Sequence, residues 1–210
     1  MSNPNIIKFS IPPDIYFKLM EEINKKNESH SNKLAGNIRR QENINQCIPF
    51  LENVIYDVLN KFPELVENTS KRFYQSISTR NLKNNEHTRT MCLDALWVNH
   101  QKQYEFNPLH HHDGLFSFIL FMKIPYLMKE LRDISPGTDS NLNSSGRLQF
   151  VYAGSSHPEK MYDMLNYDVD KNWEGTGLIF PSSFLHLVYP FYGEGVRITV
   201  SGNIYAMVNI

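Results

Sequence analysis

Cysteine is scarce in this chain: two in 210 residues, Cys47 and Cys92. They match no closely spaced metal or redox pattern and cannot build a disulfide framework, so a reducing compartment, the cytoplasm, is expected. Charge of one sign is also missing. With 21 Lys and Arg against 22 Asp and Glu, the net charge is -1. That balance removes the broad basic face on which general nucleic-acid binding depends. No apolar run approaches the roughly 20 residues of a membrane helix. The opening MSNPNIIKFS lacks the basic, apolar and small-residue order of a secretory signal, so a soluble, unprocessed protein is expected. Internal repeats, a P-loop and a glycine-rich dinucleotide fingerprint are absent too, which sets aside repeat arrays and the common nucleotide-binding folds. What remains is 41% hydrophobic and 12% aromatic residues, enough to fill the core of one domain spanning 1–210.

Hydrophobic spacing divides that domain in two. Ile7, Phe9 and Ile11 alternate, predicting a short strand over 5–11 that ends at Pro12-Pro13. Asp14 then reads as an N-cap, and Tyr16, Leu19, Met20 and Ile23 fall at helical spacing over 14–28. A second helix is expected over 49–62, where Leu51, Val54, Ile55, Val58, Leu59 and Phe62 form one stripe. Residues 1–70 are thus expected to be a helical support. Beyond residue 70 the segments 72–80, 88–100, 115–124, 147–152, 176–180, 184–190 and 196–208 are β-branched or aromatic and separated by Gly, Pro, Asn and Ser. The fold class is α+β, mainly β, with a sandwich or jelly roll over 71–210. The polar stretch from Met128 to Gly146 is expected to be a long surface loop.

Two blocks carry chemistry. In FNPLHHHDGLFSFILFMKIPY, residues 106–126, three histidines and an acid stand where an apolar strand begins. Imidazoles and a carboxylate gathered there suit a divalent metal, and residues two apart in extended chain share one side. Two registers are open: His110 with His112, or His111 with Asp113. A solvated polar turn is the alternative to both. The second block, GTGLIFPSSFLHLVYPFYGEGVRITVSGNIY, supplies His186 after the Pro181-Ser182-Ser183 turn, and Arg197, 11 residues later, in a strand flanked by Val196 and Ile198. A guanidinium buried there needs an anion, and a bidentate carboxylate is its natural match. Asn99, Gln101 and Gln103 alternate ahead of the histidines, Tyr104 and Asn107 lead into the turn, and Thr199 and Ser201 share a strand face with Arg197. Tyr189 is a weaker candidate for the same carboxylate. Trp97 and Trp173 are expected in the core, and His157 on a loop.

A proximal metal pair, a distal His186 and then Arg197 resemble the Fe(II)/2-oxoglutarate-dependent oxygenases. More narrowly, NPLHHHDGLFSFILFMKIPY and FPSSFLHLVYPFYGEGVRITVSGNI look like a prolyl-hydroxylase-like group of such oxygenases encoded by large tailed bacteriophages and marine bacteria. The resemblance spans roughly residues 90–205. It implies a double-stranded β-helix, jelly-roll or cupin-like, braced by the N-terminal helices, with iron at one mouth between two sheets. The narrower group's His-x-His maps onto His110 and His112, followed by Gly114. The broader superfamily's His-x-Asp maps onto His111 and Asp113. The first register is preferred, the second is carried as the alternative, and His186 belongs to both. No catalytic residue beyond the metal site is expected. Arg197, Thr199, Ser201, Tyr104, Asn99 and Gln101 are the residues expected around the cosubstrate.

Fe(II), 2-oxoglutarate and O2 are then the expected cofactors and cosubstrates, with ascorbate stimulating turnover. The expected reaction couples decarboxylation of 2-oxoglutarate to succinate with hydroxylation of a substrate that the sequence does not identify: a prolyl or other peptide side chain, a nucleobase or a small molecule. No membrane partner is expected. The location is the cytoplasm, the host's if the chain is viral. The competing reading is a non-catalytic jelly roll, a binding or structural protein of phage type.

Overall fold

The structure, a computed structural model, describes residues 5–78, 89–153 and 162–208. The chain begins with strand β1 (Ile7–Ser10) and helix α1 (Pro13–Ile23), followed by the short strands β2 (Glu28–Ser29) and β3 (Gln41–Asn43). Helices α2 (Ile48–Leu59) and α3 (Pro63–Ser78) come next, then β4 (Arg89–Gln101), β5 (Asn107–His110) and β6 (Phe116–Lys123). Helix α4 (Met128–Ile134) precedes β7 (Leu148–Ala153), β8 (Tyr162–Tyr167), β9 (Thr176–Pro181), β10 (Leu185–Val188) and β11 (Arg197–Val208). The strands form two antiparallel sheets. One has seven strands in the order β1-β9-β6-β11-β4-β3-β2, and the other has four in the order β5-β10-β7-β8.

Strand alternation sorts the large sheet's side chains between two layers. On β6, Phe116, Phe118, Leu120 and Met122 pack with Leu19, Ile23, Leu51, Ile55 and Leu59 of α1 and α2. Ile119 and Phe121 of the same strand pack with Leu148 and Phe150 of the small sheet. β6 is buried on both faces, which explains its unbroken FSFILFMK run. On β4 and β11 the helix-facing positions are equally apolar: Leu96 and Val98, and Ile198, Val200 and Ile204. Their opposite faces carry Trp97, Asn99 and Gln101, and Arg197, Thr199, Ser201 and Asn203, which line a cavity between the sheets. Polar residues stand there at positions where a sandwich ordinarily buries apolar ones.

Several elements differ from the sequence expectation. Asp14 does not cap α1. The helix starts one residue earlier at Pro13, whose fixed φ suits the first helical position, with Pro12 before it, and Asp14 lies in the first turn. Residues 72–78, expected as strand, belong to α3, which begins at Pro63 with Glu64 in its first turn and carries an exposed Glu67–Lys71 pair at i,i+4. The stretch from Met128 to Gly146 is not all loop, because α4 opens it and buries Met128 and Leu131. Residues 1–70 do more than supply helices: β1 pairs with β9, and β3 pairs with β4 through Gln41↔Asn99. Gln103 lies beyond the end of β4, exposed in the turn. Among the described residues no helix is long and apolar enough to cross a membrane. His157 lies outside the described residues.

Candidate metal centre

β5 and β10 are neighbours in the small sheet, and their register sets His110 directly opposite His186. After His110 the chain leaves the strand. The backbone N–H of His112 donates to Ser182 O at 3.0 Å, which brings a third imidazole over the first two. The ring centroids lie 4.3 Å apart for His110 and His186, 5.0 Å for His110 and His112, and 5.1 Å for His112 and His186. One ring nitrogen from each falls within 4.8 Å of the other two. His111 and Asp113 are exposed beside the cavity and do not join this cluster. The turn after β5, held by the His112–Ser182 hydrogen bond, gives the reason: it brings His112 in beside His110 and leaves His111 exposed.

The second nitrogens of two of these rings are already committed. Nδ1 of His110 lies 2.7 Å from Pro108 O, and Nδ1 of His186 lies 3.0 Å from Phe184 O. A carbonyl oxygen only accepts, so each Nδ1 carries the proton and each Nε2 keeps its lone pair for a metal. Burial keeps the rings uncharged. It pushes His112 down to about 3, with help from His110 and His111, pushes His186 well below the ordinary histidine value, and lowers His110 as well. Phe150 and Phe180 pack against His186, and Trp97 stands 5.6 Å from His112. Three neutral imidazoles in an apolar setting suit iron, zinc or copper. The set has no carboxylate, unlike the usual facial triad.

Gly114 makes the turn possible. Its φ is +98°, and a Cβ there would stand 2.7 Å from Ile204 O, the atom that accepts from Leu115 N–H. Gly114→Ala is expected to destabilise the protein by about 1–3 kcal/mol. For a chain of this size that lowers the melting temperature by roughly 3–10 °C in a thermal unfolding scan.

Arg197 opens β11 and is 3% exposed. Its Nη1 donates to Gly146 O at 3.1 Å and to the Tyr126 hydroxyl at 3.3 Å, while its buried Nε has no partner. Among the described residues no carboxylate pairs with it. Burial raises the Tyr126 hydroxyl, so that group remains a neutral phenol beside the guanidinium. A buried guanidinium with a free donor and no protein anion fits an incoming carboxylate. The residues present therefore fit both an iron ion and, at Arg197, a ligand's carboxylate.

Asn99 sits on β4, next to Arg197's strand and opposite Thr199. Its Nδ2 donates to Thr199 Oγ1 at 3.3 Å and to Ser201 Oγ at 3.4 Å, and its Oδ1 accepts from Gln41 Nε2 at 2.7 Å. Gln101 holds the following turn by donating to Glu105 O at 2.6 Å. Tyr104, expected beside the cosubstrate, is not there. It is 65% exposed, has a positive φ of 67° and packs edge-on against Tyr192. Tyr189 instead donates to Gln149 Oε1 at 3.4 Å. Trp97 is buried as expected but also lines the cavity, and Trp173 packs against Phe121 and Tyr167. Sequence reasoning missed Gly36, Gln41 and Tyr126. Nothing local marks Gln41, a glutamine in a polar stretch, because only its pairing with Asn99 carries it into the cavity.

The family described as "Putative 2OG-Fe(II) oxygenase" matches residues 95–203, a little over half of the chain. A search of curated proteins finds no match. Among solved structures, a prolyl-4-hydroxylase from Pseudomonas putida superposes with a TM-score of 0.50 at 13% identity, covering 94% of this chain and 91% of that one. The viral collagen prolyl hydroxylase of Paramecium bursaria Chlorella virus-1, solved as its 2OG complex, gives 0.45 at 14% identity, covering 98% of each chain. A Trichoplax adhaerens prolyl hydroxylase in complex with a hypoxia inducible factor oxygen degradation domain peptide fragment gives 0.46 at 11% identity, covering 97% of this chain and 84% of that one.

Proposed function

Because this chain belongs to the family of 2-oxoglutarate- and Fe(II)-dependent oxygenases, we propose that His110, His112 and His186 hold its iron and that Arg197 receives the far carboxylate of 2-oxoglutarate. The two sheets are read as a double-stranded β-helix in one domain spanning the chain, with α1, α2 and α3 bracing the larger sheet. The reaction is R–H + 2-oxoglutarate + O2 → R–OH + succinate + CO2. Analogy of fold with the Pseudomonas putida enzyme makes a peptide side chain the first class of R–H to try. One observation supports the reading above all others: Arg197 is buried without an acid in the same cavity as three converging neutral imidazoles.

Iron supplies the activation of dioxygen when bound. The chain's own residues do the rest. The carbonyls of Pro108 and Phe184 fix two imidazoles with Nε2 inward. Gly146 and Tyr126 aim the guanidinium at the cavity. Phe150, Phe180 and Ile119 keep bulk water from the ligand side.

Anaerobic addition of Fe(II) and 2-oxoglutarate is expected to give a weak visible charge-transfer band, and admitting air should release succinate slowly even without the true substrate. A protein that binds iron but produces succinate only at the no-enzyme rate would overturn the assignment. The ligand register has its own test, because Trp97 beside His112 should report Co(II) binding by fluorescence quenching. Alanine at His110 or His112 is expected to weaken Co(II) by more than about 100-fold, beyond the 10–100-fold typical of losing an outer partner, and alanine at His111 or Asp113 by less than about threefold. The reverse ranking would assign the site to His111 and Asp113.

A further inference from the structure

The histidine cluster differs from the usual facial triad by one charge. An imidazole binds a metal as the neutral ring, so His110, His112 and His186 bring no charge to an ion held between them. The groups behind two of the rings bring none either. Nδ1 of His110 and Nδ1 of His186 lie on the carbonyls of Pro108 and Phe184, where a carboxylate would have lent negative charge through the ring.

No other acid makes up the difference. Among the described residues lining the cavity, Asp113 is the only carboxylate, and it is exposed and outside the histidine cluster. Lys33, another exposed lining residue, offsets it. Arg197 is buried in the same cavity and pairs with no acid among the described residues.

These groups leave the interior short of one negative charge. A divalent ion and Arg197 together carry three positive charges, and 2-oxoglutarate carries two negative ones. With a carboxylate as third ligand the same count closes at zero. Here one positive charge is left over in a space walled by Trp97, Ile119 and Leu148, all buried, where water screens it poorly. The cavity measures about 320 Å³, within the range of pockets that hold drug-sized ligands, so a small ion has room beside a five-carbon diacid.

We infer that this cavity takes up a monovalent anion together with 2-oxoglutarate, on the histidine side, in place of the carboxylate that the ligand set lacks. The inference rests on reading the cavity as an oxygenase site. The anion is a halide from solution or the carboxylate of the substrate, and the shared chemistry is a single negative charge on a small donor.

Azide is the probe. It is added without oxygen to Co(II)-loaded protein saturated with 2-oxoglutarate and followed by the cobalt visible spectrum, while equilibrium dialysis with labelled 2-oxoglutarate shows whether the diacid stays. Wild type is expected to give a saturable azide band with 2-oxoglutarate still bound. His112→Asp supplies the absent charge, and among proteins that retain cobalt and 2-oxoglutarate it should weaken azide by about tenfold or more. His110→Asp makes the same change of charge at a second ligand and should have the same effect, so one poorly folded variant does not decide the outcome. Chloride and acetate are then compared as competitors of azide. Stronger competition by acetate would assign the position to a substrate carboxylate, and stronger competition by chloride to a halide. Absence of an azide band in wild type, displacement of 2-oxoglutarate by azide, or equal azide affinity in wild type and a cobalt-retaining aspartate variant would overturn the inference. Wild-type protein that bound no cobalt, or cobalt without 2-oxoglutarate, would instead overturn the oxygenase reading beneath it.

Discussion

His186→Ala is expected to abolish metal binding and to bring succinate release down to the no-enzyme background. This residue is chosen over the other histidines because both registers contain it. Its ring is 2% exposed, faces His110 across the β5–β10 ladder and is packed by Phe150 and Phe180. The alanine therefore removes one donor of three and leaves a hollow beside Phe150 and Phe180. Loss of a buried ring also affects stability, so metal content is to be measured on protein shown by its melting curve to be folded. A folded His186→Ala protein that retained wild-type iron would rule out the three-histidine centre, whatever became of its activity.

Arg197→Ala should leave iron affinity nearly intact and raise the apparent constant for 2-oxoglutarate steeply. Breaking one side of a desolvated, hydrogen-bonded charge pair costs about 2–5 kcal/mol, roughly 30- to several-thousand-fold in binding. Arg197→Lys should recover only part of this, since an ammonium keeps the charge but loses the planar fork, and Nε is the donor that stands unpaired. Shorter 2-oxo acids without a far carboxylate should be poor cosubstrates for wild type and lose little more in the mutant. The guanidinium also braces Gly146 and Tyr126, so some fall in melting temperature is expected as well. Unchanged 2-oxoglutarate affinity accompanied by that fall would make Arg197 a structural brace and remove the main support for the cosubstrate.

The parts legible in the sequence were those with strong periodicity or concentrated chemistry. β4, β6, β7, β9, β10 and β11 read as strands because apolar and β-branched residues recur where a sheet meets helices or a second sheet. α3 did not read as a helix: Phe73, Tyr74 and Ile77 have the composition of a strand, and the helical start at Pro63-Glu64 lies ten residues earlier. β5 and β8 were missed because both are edge strands, the first four residues long with a proline and the second interrupted by Asp163 and Asn166. Around the site, His110, His112, His186 and Arg197 could be named because their residue types are rare and purposeful. The placement of residues 30–41 beside the cavity could not, since it depends on hydrogen bonds to residues about 60–70 positions away.

β11 lies in the middle of the large sheet, hydrogen-bonded to β6 on one side and β4 on the other, yet it is the last strand described. During synthesis the two strands that flank it emerge first and cannot meet their partner until residues 197–208 leave the ribosome. Until then β4 and β6 present unsatisfied edges, a condition that favours association with other chains or with chaperones. Arg197, Thr199 and Ser201 arrive with that same strand, so the pocket proposed for 2-oxoglutarate cannot form before it is inserted. A ligand that binds there would act on the nascent chain as a latch, drawing the final insertion forward by mass action.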